Sequence, residues 1–326
     1  MQKWFVRVGV AILALGLLPV SLAAAVTPAP QPAAATPGQG LEISPPVLEL
    51  NANPGQTVTA QIRVRNVASG ELIAKGKADD FGPGDSEDGQ PKLLLDEQGA
   101  TRYSLKYWVQ SVPDLRLAPQ ELKTATVQIA VPTNAEPGGH FGVIRFTAVP
   151  PDVQGTGVAL SASVGTLVLL RVAGNITENV KLAGFSASQD GKRGSFFEHG
   201  PVDFTVRLEN DGSVHEKVQG TIDVTSTFGK KVGSVAVNDK GGNVLPGSIR
   251  KFQQQLSTKA LFGHYTAKLS LSYAGGTKKL NQTLGFWVIP WRLILLILVA
   301  VVVLGYLLRL AIRRYNEHII AQARRR

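Results

Sequence analysis

Apolar and polar residues alternate with period two through most of residues 41–288. In residues 57–65, Val58, Ala60, Ile62 and Val64 share one face while Thr, Gln and Arg occupy the other, which predicts a half-buried strand. Residues 201–209 alternate as cleanly, and residues 220–225 continue the pattern with Ile222 and Val224 on one face. Further strands are expected over residues 103–109, 124–131, 141–148, 166–172, 252–256, 265–273 and 279–288. Residues 41–50 contain Pro45-Pro46, which confines them to an edge strand or to a strand that breaks and switches sheets. Turn-rich junctions at Asn53-Pro54-Gly55, Pro83-Gly84 and Pro137-Gly138-Gly139 separate the strands, and no convincing helical period interrupts them.

The alternation gives way near the C-terminal end. From Leu293 to Leu308 every residue is apolar, Gly305 or Tyr306, and the run to Ile312 is twenty residues long, about 30 Å as a helix. Trp291, Arg292 and Leu293 open this segment, and Ile312, Arg313 and Arg314 close it. Arg292 and Arg309 lie where long side chains snorkel to headgroups, while Trp287, Trp291 and Tyr315 suit the aromatic belts. Residues 289–312 are therefore expected to form a single transmembrane helix in contact with membrane lipid.

Two stretches of strands echo one another. Residues 62–66 (Ile-Arg-Val-Arg-Asn) correspond to residues 206–210 (Val-Arg-Leu-Glu-Asn), each followed by a small-residue turn. Leu117-Ala118-Pro119 corresponds to Leu245-Pro246-Gly247, and Gly139-His140-Phe141 to Gly263-His264-Tyr265. Three landmarks in one order imply a single supersecondary plan used twice. The expected fold is all-β, two tandem immunoglobulin-like β-sandwiches over residues 41–175 and 176–288, followed by the helix.

Residues 1–25 supply the other targeting signal. Lys3 and Arg7 precede an apolar run from Val8 to Val20 and the small residues Ser21 to Ala25, as in a secretory signal peptide. Cleavage after Ala23 or Ala25 fits equally, and an uncleaved signal anchor is the rival. Residues 26–40, rich in Pro and Ala, read as an extended linker. Export places residues 26–288 outside the plasma membrane and the basic tail, residues 313–326, in the cytoplasm, in agreement with the positive-inside rule. No sorting motif of LPxTG type precedes the apolar run, and the basic tail beyond it excludes a lipid-anchor signal.

The formal charge of +10 invites a nucleic-acid partner, but its distribution removes that reading. Residues 41–288 carry 25 basic and 23 acidic side chains, so the excess belongs to the membrane flanks. Within the ectodomain the charge divides, with a net −3 over residues 41–175 and +5 over residues 176–288. Lys230-Lys231, Arg250-Lys251 and Lys278-Lys279 either face anionic headgroups or wall polymers or serve surface solubility.

Catalytic constellations are missing from the sequence: there is no cysteine, no phosphate-binding glycine loop and no nucleophile elbow. No enzyme activity and no cofactor are expected. The five His are scattered, and a polar residue opening a strand accounts for His140 and His264. The weak metal candidates are Asp85, Glu87 and Asp88, within an acidic loop from Asp79 to Gly89 that offers hard oxygen ligands without EF-hand spacing.

Tyr107-Trp108-Val109, Leu117-Ala118-Pro119, Val131-Pro132 and residues 134–144, followed by Asn243-Val244-Leu245-Pro246 and Gly263-His264-Tyr265, resemble the bacterial WxL-interacting surface proteins. That resemblance implies a signal peptide, a peptidoglycan-binding-like and a host-binding-like sandwich, a membrane helix and a short basic tail. The function expected is a non-enzymatic surface protein that binds peptidoglycan or another surface protein; the alternative is a structural or chaperone-like subunit of an envelope assembly.

Overall fold

A computed structural model describes residues 40–95, 99–149 and 162–323, with side chains of the helix to Glu317. The expected signal peptide, all but Gly40 of the linker, and Arg324 to Arg326 lie outside the described residues. The first nine strands are β1 (Leu41–Ser44), β2 (Val47–Ala52), β3 (Thr57–Asn66), β4 (Leu72–Pro83), β5 (Pro91–Leu94), β6 (Leu115–Leu117), β7 (Leu122–Ala130), β8 (Gly138–Val149) and β9 (Ser163–Val172). They build a sheet ordered β1-β3-β7 that faces a second ordered β2-β9-β8-β4-β5, with β6 also on β4. Pro45-Pro46 does break the first strand: β1 runs antiparallel to β3, and β2 crosses to lie parallel to β9 in the opposite sheet.

The second sandwich follows the same plan. Its strands are β10 (Val180–Gln189), β11 (Lys192–Arg193), β12 (Phe196–Phe197), β13 (Val202–Asn210), β14 (Glu216–Lys217), β15 (Gln219–Ser226), β16 (Lys231–Val237), β17 (Asn243–Val244), β18 (Ser248–Leu256), β19 (Gly263–Tyr273) and β20 (Lys278–Val288). One sheet runs β11-β10-β13-β18 and the other β12-β20-β19-β15-β16, while β14 and β17 pair separately. The short β12 lies parallel to β20 as β2 lies parallel to β9, so the sheet switch is repeated. Both halves are immunoglobulin-like sandwiches.

Alternation becomes burial where the sheets face each other. Ala60, Ile62 and Val64 of β3 are fully buried against Phe146, Val168 and Leu170, and Val202, Phe204, Val206 and Leu208 of β13 are buried in the second core. Without disulfides, these cores carry the stability, each large apolar side chain contributing about 1.5–3 kcal/mol when fully buried.

The repeated asparagine explains why both modules turn at the same point. Asn66, fully buried, donates through Nδ2 to the carbonyls of Gly70 (2.8 Å), Leu117 (3.1 Å) and Ala118 (3.0 Å), and its Oδ1 accepts the Ala68 N–H at 2.8 Å. Asn210, also fully buried, donates to Val214 and Val244, both at 2.8 Å, and accepts the Gly212 N–H at 2.9 Å. Each side chain thus satisfies backbone groups of two crossing loops that water cannot reach.

Two expectations need correction. Residues 103–109 are not a strand: a 3₁₀ turn, Lys106–Trp108, occupies their centre, with isolated bridges at Ser104 and Val109. The cause is Asp80, whose Oδ1 accepts the N–H groups of Leu105 (2.8 Å) and Lys106 (2.9 Å) and winds the backbone into a turn. Asp80 and Asp79 therefore do not belong to the acidic loop. They sit on β4, buried, with Asp79 held by Arg145 at 2.7 Å. Helix α1 (Trp291–Ala323) runs on through Arg313 and Arg314, and its first 27 residues are long and apolar enough to cross a membrane. From Leu293 to Leu308 every residue of that span is exposed.

Asn66→Ala and Asn210→Ala are each expected to destabilise the full chain by about 3 kcal/mol, since several buried backbone groups lose their partner. Asn281→Ala, on the exposed face of β20, is expected to stay within about 0.5 kcal/mol of the parent. Urea unfolding in detergent measures both; equal effects would show that the buried asparagines do not pin the turns.

Candidate functional site: the cleft between the modules

The two sandwiches touch backbone to backbone, and a glycine pair permits it. Gly138 has φ +142°, and a Cβ there would stand 2.9 Å from the Ser213 carbonyl oxygen; at Gly139 it would stand 3.4 Å from Val214 Cα. With no side chain in the way, the Gly139 N–H donates to the Ser213 carbonyl at 2.8 Å. Next to this contact Phe141 meets the edge of His215 at 5.8 Å, and Phe81, Phe141 and Leu169 form a small apolar cluster that includes Leu245 of the second module.

Ionic contacts flank the cluster. Glu49 on β2 accepts Lys217 Nζ at 2.6 Å and Asn243 Nδ2 at 2.8 Å. Glu87 accepts Arg207 Nε at 2.7 Å, and its carbonyl accepts the Lys251 N–H at 2.6 Å. The acidic surplus of the first module thus meets the basic surplus of the second. Glu87 and Arg207 are each 34% exposed, so water screens their pairing and its worth is at most about 1 kcal/mol. Burial opposes ionisation of Glu49, but the hydrogen bonds from Lys217 and Asn243 and the Lys217 charge outweigh it and hold the carboxyl below its usual range. Glu87 is lowered chiefly by its hydrogen bond from Arg207.

The contact leaves an open cleft of about 550 Å³. Val47, Leu167, Leu169 and Leu245 give it an apolar floor, and Lys217, Lys240 and Arg250 make one wall cationic. Arg250 donates through Nη1 to the Asn243 carbonyl at 2.7 Å and lies over the Phe252 ring at 5.3 Å. Gly89 and Gly242 clear the space for its guanidinium, since a Cβ at Gly242 would stand 2.6 Å from Nη2. Along the floor runs β2, which among the described residues pairs only with β9. Leu167 N–H donates to the Pro46 carbonyl and Ala173 N–H to that of Ala52, so even-numbered residues of this parallel strand face β9. The backbone groups of Val47, Glu49 and Asn51 point the other way, along the free edge.

The sequence candidates fall elsewhere. Asp85 pairs with Lys92 at 3.3 Å; Asp88 accepts Ser86 Oγ at 2.7 Å and the Gln90 N–H at 2.9 Å; Glu87 is taken by Arg207. Among the described residues no three His, Asp or Glu side chains gather as a metal site. His140 packs against Trp108 at 4.1 Å and His264 against Trp287 at 5.0 Å, both with tilted rings, each a packing contact at the mouth of its strand. Sequence reasoning missed Glu49 and Lys217, whose only advance signal was the opposite net charge of the two modules, and singled out Arg250 only as half of a basic surface pair.

The contact is expected to weaken in acid. Burial pushes His215 down to about 4, opposed by the Glu49 charge and aided by Arg171 and Lys217, so the folded chain binds fewer protons here than the unfolded one. Its contribution is complete above about pH 6.5 and declines as pH falls towards 4. Glu49, depressed from 4.5, loses its share below that value. His215→Phe is expected to remove the decline between pH 6.5 and 4.5 relative to the parent in urea midpoints of the full chain. Parallel pH profiles for the two proteins would contradict this.

No protein-family model matches the chain, and no curated protein matches it. Among solved structures it is similar to the class 5 fimbriae chaperone CfaA, with 15% identity and a TM-score of 0.38 over 75% of this chain and 98% of that one. It is similar to the E. coli chaperone DraB, with 14% identity and a TM-score of 0.35 over 74% and 95% of the respective chains. A chain of the CsuC–CsuE chaperone–tip adhesion subunit complex of Acinetobacter baumannii matches with 11% identity and a TM-score of 0.35 over 74% and 97%. Likenesses of this size carry no argument about function; the fold assignment rests on the strand pairing, and no family is assigned to the chain.

Proposed function

We propose that this is a non-enzymatic, membrane-tethered envelope protein that holds an extended segment of another surface protein in the cleft between its modules, as an assembly or chaperone-like subunit. The observation that carries this reading is the free edge of β2 running along an apolar-floored cleft. An incoming strand gains main-chain hydrogen bonds from Val47, Glu49 and Asn51 and lies beside the exposed Val47 side chain, which lines the cleft. The ectodomain lies outside the plasma membrane and the basic tail inside, with α1 confining the cleft to the bilayer surface, where weak binding gains from high effective concentration. In the layout of the WxL-interacting surface proteins, which the sequence resembles, the ligand is a surface protein or a wall polymer; the free strand edge favours the protein.

Val47→Pro removes one outward N–H and leaves the β2–β9 ladder intact, because Val47 does not donate to β9. Losing one main-chain hydrogen bond of about 1 kcal/mol is expected to weaken partner binding roughly fivefold with the urea midpoint unchanged. The readout is the amount of stoichiometric partner that co-purifies with the full chain in detergent, with peptidoglycan pull-down in parallel. Equal partner recovery by both proteins, or retention on peptidoglycan alone, would overturn the reading.

A further inference from the structure

Exposed aromatic rings cluster at one end of the second module, and that end joins the helix. β20 stops at Val288 and α1 starts at Trp291, so Ile289-Pro290 is the whole connection, at most roughly 10 Å of chain. Val288 pairs with Gly263 and Phe197, which brings the 257–262 loop and the 194–197 segment beside the start of the helix. Ser226 pairs with Tyr265, and the Thr227 N–H donates to the His264 carbonyl at 3.2 Å, so the turn between β15 and β16 reaches the same level. From β20 across β19 to β15 is about 10 Å at strand spacing.

The rings presented there are Phe228 (97% exposed), Phe262 (69%), Phe196 (55%), Trp287 (48%) and Trp291 (49%). Phe228 is the most exposed large apolar residue of the ectodomain's described residues, and it sits at a turn tip where solubility favours a polar side chain. The tips are fixed: Phe262 N–H donates to the Tyr265 hydroxyl at 2.9 Å, and Trp287 N–H to the Ser195 carbonyl at 2.7 Å. Arg292 binds Glu198 at 3.3 Å and ties the helix start to the module. Lys230 and Lys259 are exposed between the aromatic tips. Of the acids at this end, Glu198 is paired with Arg292 and Asp223 with Lys231, and Asp203 accepts the Gln255 amide at 2.8 Å, leaving Asp190 at the β10–β11 turn.

We propose that this end of the second module is a membrane-docking face, seated by Phe196, Phe228, Phe262 and Trp287 in the headgroup layer of the bilayer that α1 crosses. Each leaflet's polar layer is about 5–7 Å thick, and the connection to α1 is turned back on itself by the Trp291 N–H to Ile289 carbonyl hydrogen bond (2.8 Å) while Arg292 is tied to Glu198, which holds the loops at that layer. Aromatic rings are favoured at that depth, and Lys230, Lys259 and Arg292 meet anionic headgroups there. The proposal rests on the reading of α1 as a membrane span. Its consequence is a fixed posture, with the docked end down and the cleft at the opposite end of the module, facing away from the lipid.

The chain has no cysteine, so single-cysteine variants report position cleanly. Phe228→Cys, Phe262→Cys, Lys279→Cys and Leu304→Cys, each carrying an environment-sensitive fluorophore, are reconstituted as full chains in vesicles of phosphatidylcholine and phosphatidylglycerol. Lys279 lies about 30 Å up β20 from Val288 and serves as the distant site. Quenching by lipids nitroxide-labelled near the headgroup is expected to be about threefold stronger at 228 and 262 than at 279, with 304 quenched by deep labels. Equal, weak quenching at 228, 262 and 279 with 304 still deep overturns the docking face and leaves the span intact. Loss of deep quenching at 304 overturns both.

Discussion

The hydrogen bond from Gly139 to Ser213, with the glycine pair that allows it, is the constraint on which the rest depends. It brings two main chains together across modules whose cores are otherwise separate. Phe81, Phe141 and Leu169 can meet Leu245 only at that spacing, and Glu49 can reach Lys217 and Asn243 only in that orientation. A side chain at Gly138 would be strained by its positive φ and would press on the Ser213 carbonyl, so the modules would part. The cleft is the space enclosed between this contact and the flanking contacts of Glu49 with Lys217 and of Glu87 with Lys251.

Much of the architecture could be read from the chain because half-buried strands write their faces into alternate residues. Pro45-Pro46 announced either an edge strand or one that changes sheets, and the repeated Asn66 and Asn210 marked equivalent turns. The misreadings share a cause in buried polar groups. Asp79 and Asp80 look like members of a solvated acidic loop, yet Arg145 and the 3₁₀ turn at Lys106 need them in the interior. Local alternation cannot reveal a partner sixty residues away. For the same reason the cleft was invisible: Glu49, Lys217 and Arg250 are ordinary surface residues in sequence and come together only when two modules pack.

The molecule divides its labour along one axis. Apolar cores, unaided by disulfides, hold each sandwich. Complementary charge and a glycine pair join the sandwiches, and a two-residue connection joins the second one to the helix. What the two modules present together is a free strand edge beside an apolar-floored cleft.

Rigidity of the two-module unit is the central claim, because both the cleft and its orientation follow from it. Spin labels at Gln61→Cys on β3 and Gln253→Cys on β18, both exposed, measure the distance between modules in the full chain reconstituted in nanodiscs. Double electron–electron resonance is predicted to give one narrow distance peak that broadens in Gly138→Ala. A broad or divided distribution in the chain with Gly138 intact would contradict the account.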